Sequence, residues 1–181
     1  LYAFYKKDKN AWDNTLDLGY GFLNTTSLGT RKSDDRFDLL SKYGYQLSKN
    51  WYAGVLFNFR TQFTDGFEYA KNNSGAEVKT KTSGLVATAY ALLSLGLNFK
   101  PSPNFSVFVS PLTERWIIVN DTYLSLLGAY GVVPGKKYKN ELGAFLSAEC
   151  NKEVAKNVVY KSRLDAFSNY QKNPQNVDIF W

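Results

Sequence analysis

Two carboxylate pairs are the first residues whose types and spacing suggest chemistry. Asp34 and Asp35 are adjacent, and Asp13 and Asp17 stand four apart. Paired carboxylates can exchange a proton in acid–base work or hold a cation, but nothing nearby completes such a site. The 181 residues contain no His. Neither a Ser-His-Asp arrangement nor a base with an ordinary pKa near neutrality can therefore be assembled. Cys150 is the single cysteine, which excludes an internal disulfide and a Cys/His zinc site. The expectation is no enzyme, no metal and no cofactor. Asp34 and Asp35 then end a loop, Asp13 and Asp17 line a polar wall, and Cys150 is a small side chain on an apolar face.

Twenty-two Lys and Arg against 16 Asp and Glu give a net charge of +6, so nucleic-acid binding has to be weighed. The basic residues are scattered, with Lys6, Lys7, Lys9, Lys49, Lys100 and Lys156 in short polar connections. No basic stripe forms, and no nucleic-acid partner is expected. Lys136, Lys137 and Lys139 follow Pro134-Gly135 as a small cluster. It reads as a solvated loop, or as a contact for the anionic phosphates of lipopolysaccharide.

The elements that position these charges announce themselves by strict alternation. Over residues 12–22 the even positions are Trp12, Asn14, Leu16, Leu18, Tyr20 and Phe22, while Asp13, Thr15, Asp17, Gly19 and Gly21 occupy the odd ones. Side chains on a strand point alternately to opposite faces, so one face is apolar and the other polar or small. The pattern recurs at 37–47 and 51–63, with further strands at 87–100, 105–110, 141–150 and 158–170. Short segments at 1–5 and 177–181 bring the count to about nine. The best segments run to about ten residues, the length a tilted strand needs to cross a bilayer and longer than the usual soluble strand. The uncharged run at 84–99 is too short and too polar to span as a helix.

Connection lengths alternate as well. Short turns lie near Lys7, Lys49, Pro101-Ser102-Pro103-Asn104 and Lys156, whereas 23–35, 64–86 and 111–140 read as long loops and 171–176 as a further outer one. This predicts an all-β, antiparallel, up-and-down transmembrane β-barrel within one domain over 1–181, with short turns periplasmic and long loops extracellular. Trp12, Tyr20, Phe22, Phe37, Trp51 and Phe63 fall near strand ends on the apolar face, as interfacial girdles do. The opposite face would line the lumen, with Asp13, Asp17, Arg36, Asp38, Arg60, Arg163 and Asp165 as its charged residues. Their signs nearly cancel, so ion pairs across an occluded lumen are expected rather than an ion-selective constriction. Within 111–140, residues 116–119 and 123–130 are too apolar for a free loop, and 123–130 suits a short helix. The competing reading is a soluble periplasmic β-barrel binding an apolar ligand, whose core aromatics would also alternate.

Five segments, AWDNTLDLGYG at 11–21, KSDDRF at 32–37, KPSPNFS at 100–106, SRLDAFSNY at 162–170 and NPQNVD at 173–178, carry a resemblance. The chain resembles an uncharacterised family of Gram-negative outer-membrane barrels, domain of unknown function 3078. That resemblance implies location and architecture, with no activity to transfer. It also implies a chain truncated at both ends, about 12 strands in the intact barrel, since single-chain bacterial barrels close with an even number. The absence of Met at position 1 and elsewhere fits a processed, exported product. The implied partners are outer-membrane lipid, lipopolysaccharide and the barrel assembly machinery during biogenesis; the solute is left open.

Overall fold

The alternating segments form strands, and the computed structural model describes residues 1–26, 29–71, 77–84 and 87–181. Nine strands build one sheet: β1 (Tyr2–Lys7), β2 (Asn10–Thr25), β3 (Gly29–Gln46), β4 (Trp51–Thr61), β7 (Ala89–Ser102), β8 (Phe105–Ile118), β9 (Tyr138–Ala155), β10 (Val158–Asn169) and β11 (Val177–Phe180). They lie in that order and every neighbouring pair is antiparallel. β5 (Gly66–Lys71) and β6 (Glu77–Ser83) form a separate hairpin between β4 and β7. No helix among the described residues is long and apolar enough to cross a membrane.

β1 and β11 are the two edges of the sheet, and no pairing joins them. The expectation of a barrel is therefore met only in part: the sheet is an all-β meander that stays open. It is nonetheless strongly curled. β3 and β9 are four inter-strand steps apart, about 19 Å along a flat sheet, yet Lys42 Nζ lies 2.7 Å from Glu149 Oε1. β4 and β10 are equally far apart, and Arg60 meets Asp165 at 2.5 Å. Side chains so distant along the sheet can touch only on a concave face.

The two faces differ as the alternation requires. Leu18, Tyr43, Phe57, Leu93, Leu95, Leu97 and Val109 are exposed on the convex face. On the concave face Leu40, Leu56, Leu92, Phe108, Phe145 and Phe167, one from each of six strands, pack into a buried cluster. Polar residues flank that cluster along the same strands.

Several strands run past their expected ends. The loop expected at 23–35 is largely strand, since β2 continues to Thr25 and β3 begins at Gly29, with 27–28 outside the described residues. The loop expected at 64–86 contains the β5–β6 hairpin, with 72–76 and 85–86 outside the description. β8 passes through Pro111 instead of ending before it, because a bulge there displaces the ladder between Ser110 and Thr113 and a residue lacking N–H is tolerated in a bulge. Opposite the bulge, a Cβ on Gly96 would come within 2.2 Å of the Val109 carbonyl, so only glycine fits. Ser110 Oγ donates at 2.8 Å to the carbonyls of Leu95 and Leu112, and Thr113 Oγ1 donates to Ser94 Oγ at 2.7 Å.

The β8–β9 connection folds back over the concave side. Asp121 caps a short helix, α1 (Thr122–Leu126), by accepting from the Leu124 amide at 3.0 Å, and a single 3-10 turn, Ala129–Gly131, follows. Leu124, Val119 and Val132 bury against Ala87 and Ile117, with Tyr90 and Ala129 packed alongside.

Candidate functional site

The concave face brings together four of the seven charged residues singled out above. Asp38 on β3, Arg60 on β4, and Arg163 and Asp165 on β10 form one neutral cluster. Arg60 bridges the two carboxylates, donating Nε to Asp38 at 3.2 Å and Nη2 to Asp165 at 2.5 Å. Arg163 donates Nε and Nη2 to the two Asp165 oxygens at 3.0 and 2.7 Å, and its Nη1 stands 3.6 Å from Asp38. Asn58 donates to Asp38 at 2.5 Å, and Ser147 donates to Asp165 at 2.7 Å. Asp165 is only 2% exposed; a carboxylate so buried persists as an ion only when paired and fully hydrogen-bonded.

Further pairs sit on either side. Toward the short turns, Lys42 meets Glu149, and Lys100 reaches Asp13 across three strand steps. Toward the long loops, Arg115 pairs with Glu141 and, at 2.7 Å, with Asp178, while its guanidinium lies 4.0 Å from the Phe167 ring centroid. Asp17 stands directly opposite Asp38 in the β2–β3 register. Like charges so placed repel, and each is relieved by an arginine, Asp38 by Arg60 directly opposite it on β4 and Asp17 diagonally by Arg36 at 3.3 Å. Asp17 and Arg36 are both more than half exposed, so their pair contributes little and stands apart from the central cluster.

The loop-side rim carries its own polar knots. Asp35 accepts from the backbone amides of Phe63 and Thr64 at 2.7 and 2.9 Å, from Thr64 Oγ1 at 2.9 Å and from Lys32 Nζ at 2.8 Å. Burial pushes this carboxyl up, but the Lys32 ammonium and the three other donors outweigh it and hold it at about 2. Asp35 lies beyond the apolar band, which on β3 begins at Phe37. Its expected place at the end of a loop becomes a latch fastening the end of β4 onto β3. Lys81, on β6, bridges Asp121 at 2.9 Å and Asp65 at 3.1 Å. The Lys81 hydrogen bond lowers the Asp121 pKa, and the two carboxylates raise that of Lys81.

Of the six aromatics singled out, Trp12 and Trp51 lie at the starts of β2 and β4, Tyr20 and Phe22 in the second half of β2, Phe63 just past the end of β4, and Phe37 midway along β3, because β3 extends back to Gly29. Trp12 and Trp51 stand by the short turns; Trp12 donates to Ser41 Oγ at 2.9 Å, and Trp51 packs on Phe99 with centroids 4.9 Å apart. Tyr20 meets Phe22 edge-on at 4.9 Å, and Phe37 meets Phe63 edge-on at 5.8 Å.

Sequence reasoning missed Arg115, because the strand carrying it was read as a loop from Pro111 onward. It also missed the neutral donors Asn58 and Ser147, which carry no distinguishing signal, and placed Lys100 in a turn although its ammonium reaches the concave face. Among the described residues no group of His, Cys, Asp and Glu is arranged to hold a metal ion. Paired and oppositely charged, the concave groups can neutralise one another and exclude a dominant sign of charge.

Residues 1–67 match the family described as protein of unknown function (DUF3078), which identifies an uncharacterised domain there. The matched stretch spans β1 to β4 and includes Asp13, Asp17, Arg36, Asp38 and Arg60. Arg163 and Asp165 lie beyond it, as do the segments at 100–106, 162–170 and 173–178 on which the resemblance was also read. No curated protein and no solved structure matches the chain.

Proposed function

We propose that this chain is the wall of an outer-membrane β-barrel whose lumen is filled by paired charges. Its role would then be that of a narrow or occluded transport component, or of a structural component of the membrane. The observation that carries the reading is the opposite character of the two faces. Large apolar side chains are exposed on the convex side, while the buried ionic cluster of Asp38, Arg60, Arg163 and Asp165 is concave. A water-soluble sheet with one wetted face would have the reverse arrangement. Lengths agree: the shortest of the strands from β2 to β10 in the sheet, β4, has 11 residues, about 37 Å of chain, which when tilted by about 45° covers roughly 26 Å of bilayer. Trp12, Tyr20, Phe22, Phe37, Trp51 and Phe63 would then sit at the two interfaces, and short turns would face the periplasm.

Planar-bilayer recording on the purified full-length protein tests occlusion. The central pairs predict little or no steady current, and a large, stable, ion-selective conductance refutes a filled lumen. The second reading, a soluble barrel for an apolar ligand, draws on the concave cluster around Leu56 and Phe108. Extraction separates the two: release only by detergent supports the membrane wall, and a monodisperse protein in plain buffer supports the soluble barrel.

A further inference from the structure

Lysines scattered along the chain are gathered by the meander at one end of the sheet. The β1–β2, β3–β4, β7–β8 and β9–β10 turns all lie there, and residues 6–9, 47–50, 100–104 and 151–161 carry eight lysines against Asp8 and Glu153 alone. The ion pairs near this end are Lys42 with Glu149 and Lys100 with Asp13. Lys6, Lys7, Lys9, Lys49, Lys152 and Lys156 are exposed, and among the described residues none of them stands in an ion pair. At the opposite end Lys32, Lys81 and Lys139 are held by Asp35, Asp121 and Glu141. The unpaired lysines adjoin the convex aromatics. Tyr5, Trp12 and Tyr43 are cross-strand partners on β1, β2 and β3, Tyr45 stands one pleat nearer the turn, and Trp51 opens β4; all five are exposed. Lys9 Nζ lies 5.9 Å from the Tyr45 ring centroid, and the Tyr43 hydroxyl donates to Asn10 Oδ1 at 2.5 Å. Tight turns keep the charges close to these rings. β1 ends at Lys7 and β2 begins at Asn10, β9 ends at Ala155 and β10 begins at Val158, and Asp8 and Asn157 take the left-handed φ of 52° and 64° that such reversals use. Lys49 precedes Trp51 by at most about 7 Å of chain.

We infer that the short-turn rim is a binding surface for anionic phospholipid, with the convex aromatic rings at headgroup depth and Lys7, Lys9, Lys49 and Lys156 meeting lipid phosphates. Amphipathic rings settle at that depth, and lysines immediately outside it draw anionic headgroups out of a mixed leaflet. An acidic soluble partner would meet the same charges, but it would leave the exposed rings beside them without a role. The rings therefore decide for lipid. The inference rests on the membrane-wall reading, since the rim meets headgroups only if the convex face is embedded.

The test reconstitutes the full-length protein in phosphatidylcholine vesicles doped with spin-labelled phosphatidylglycerol or, separately, spin-labelled phosphatidylcholine. Electron paramagnetic resonance at low salt reads the motionally restricted fraction of each label. Restriction is expected for both, about twofold greater for phosphatidylglycerol. Lys7→Gln, Lys9→Gln, Lys49→Gln and Lys156→Gln together, all at exposed positions, are expected to abolish that excess, and Lys136→Gln with Lys137→Gln at the other end is expected to leave it. Equal restriction of the two labels overturns the inference, returns the rim to an acidic soluble partner and leaves the wall reading intact. An excess that survives the four rim changes, or is lost with Lys136 and Lys137, also overturns it. If neither label is restricted, the wall reading itself fails.

Discussion

Single side chains decide how firmly the concave face and its rim are held. Asp35, at about 2 in the folded chain against an ordinary 3.8, favours the fold in its charged form. Its contribution is complete above about pH 4 and fades as pH falls through the folded value near 2. The protection of the Phe63 and Thr64 amides against exchange, relative to the unstructured chain at the same pH, should be flat from neutrality to about pH 4 and fall below it. Asp35→Asn should cost about 1–3 kcal/mol by weakening a buried set of hydrogen bonds, seen as the same loss of protection at neutral pH. At the centre, Asp165→Asn leaves Arg60 and Arg163 short of a buried counter-charge and should cost about 3 kcal/mol. Replacing Asp38, Arg60, Arg163 and Asp165 together with apolar residues of similar size should recover most of that loss, because desolvation of all four charges is then avoided. Urea midpoints in detergent micelles report both. That these four charges lie on one side of the sheet was legible from alternation alone. Their meeting across four strand steps was not, because curl is a property of the whole sheet and leaves no local mark.

Strands reveal themselves in sequence only where their two faces meet different surroundings. Over 12–22 and 51–61 one face is apolar and the other polar, and the period of two is plain. Beyond Phe22 and before Asp35 both faces are polar, as Asn24, Thr30 and Ser33 show, so strand and loop have the same composition and β2 and β3 were cut short. The β5–β6 hairpin was lost for the same reason, its second strand reading EVKTKTS. At Pro111 the strand was read as giving way to a loop, whereas the bulge there lets β8 pass through a residue that lacks an N–H. The boundary between legible and illegible strand thus follows the edge of the apolar band. Arginine placed on either side of that edge should therefore behave differently. Phe57→Arg, within the band, should cost about 2–4 kcal/mol when the protein is folded in lipid. Val78→Arg, on the exposed hairpin, should change stability by less than about 0.5 kcal/mol. Equilibrium unfolding from lipid vesicles gives both values.

At the scale of the molecule, nine strands of one sheet were recognised in their correct order, because each connection is either a tight turn or a loop returning to the neighbouring strand. The closed barrel was not reached: the nine-stranded sheet leaves β1 and β11 unpaired at its edges. A single physical asymmetry governs the functional reading: the side chains facing outward are greasier than those facing in. Under the proposed function, hydrocarbon around the convex face would account for that asymmetry, and the proposal predicts where lipid protons lie. The most direct measurement is nuclear Overhauser transfer from lipid acyl chains to methyl-labelled protein in a lipid nanodisc. Transfer is predicted to Leu16, Leu18, Val55, Leu93, Leu95 and Leu97, with none to Leu40, Leu56 or Leu92. Transfer to the second group and not the first, or to neither, would contradict the membrane wall.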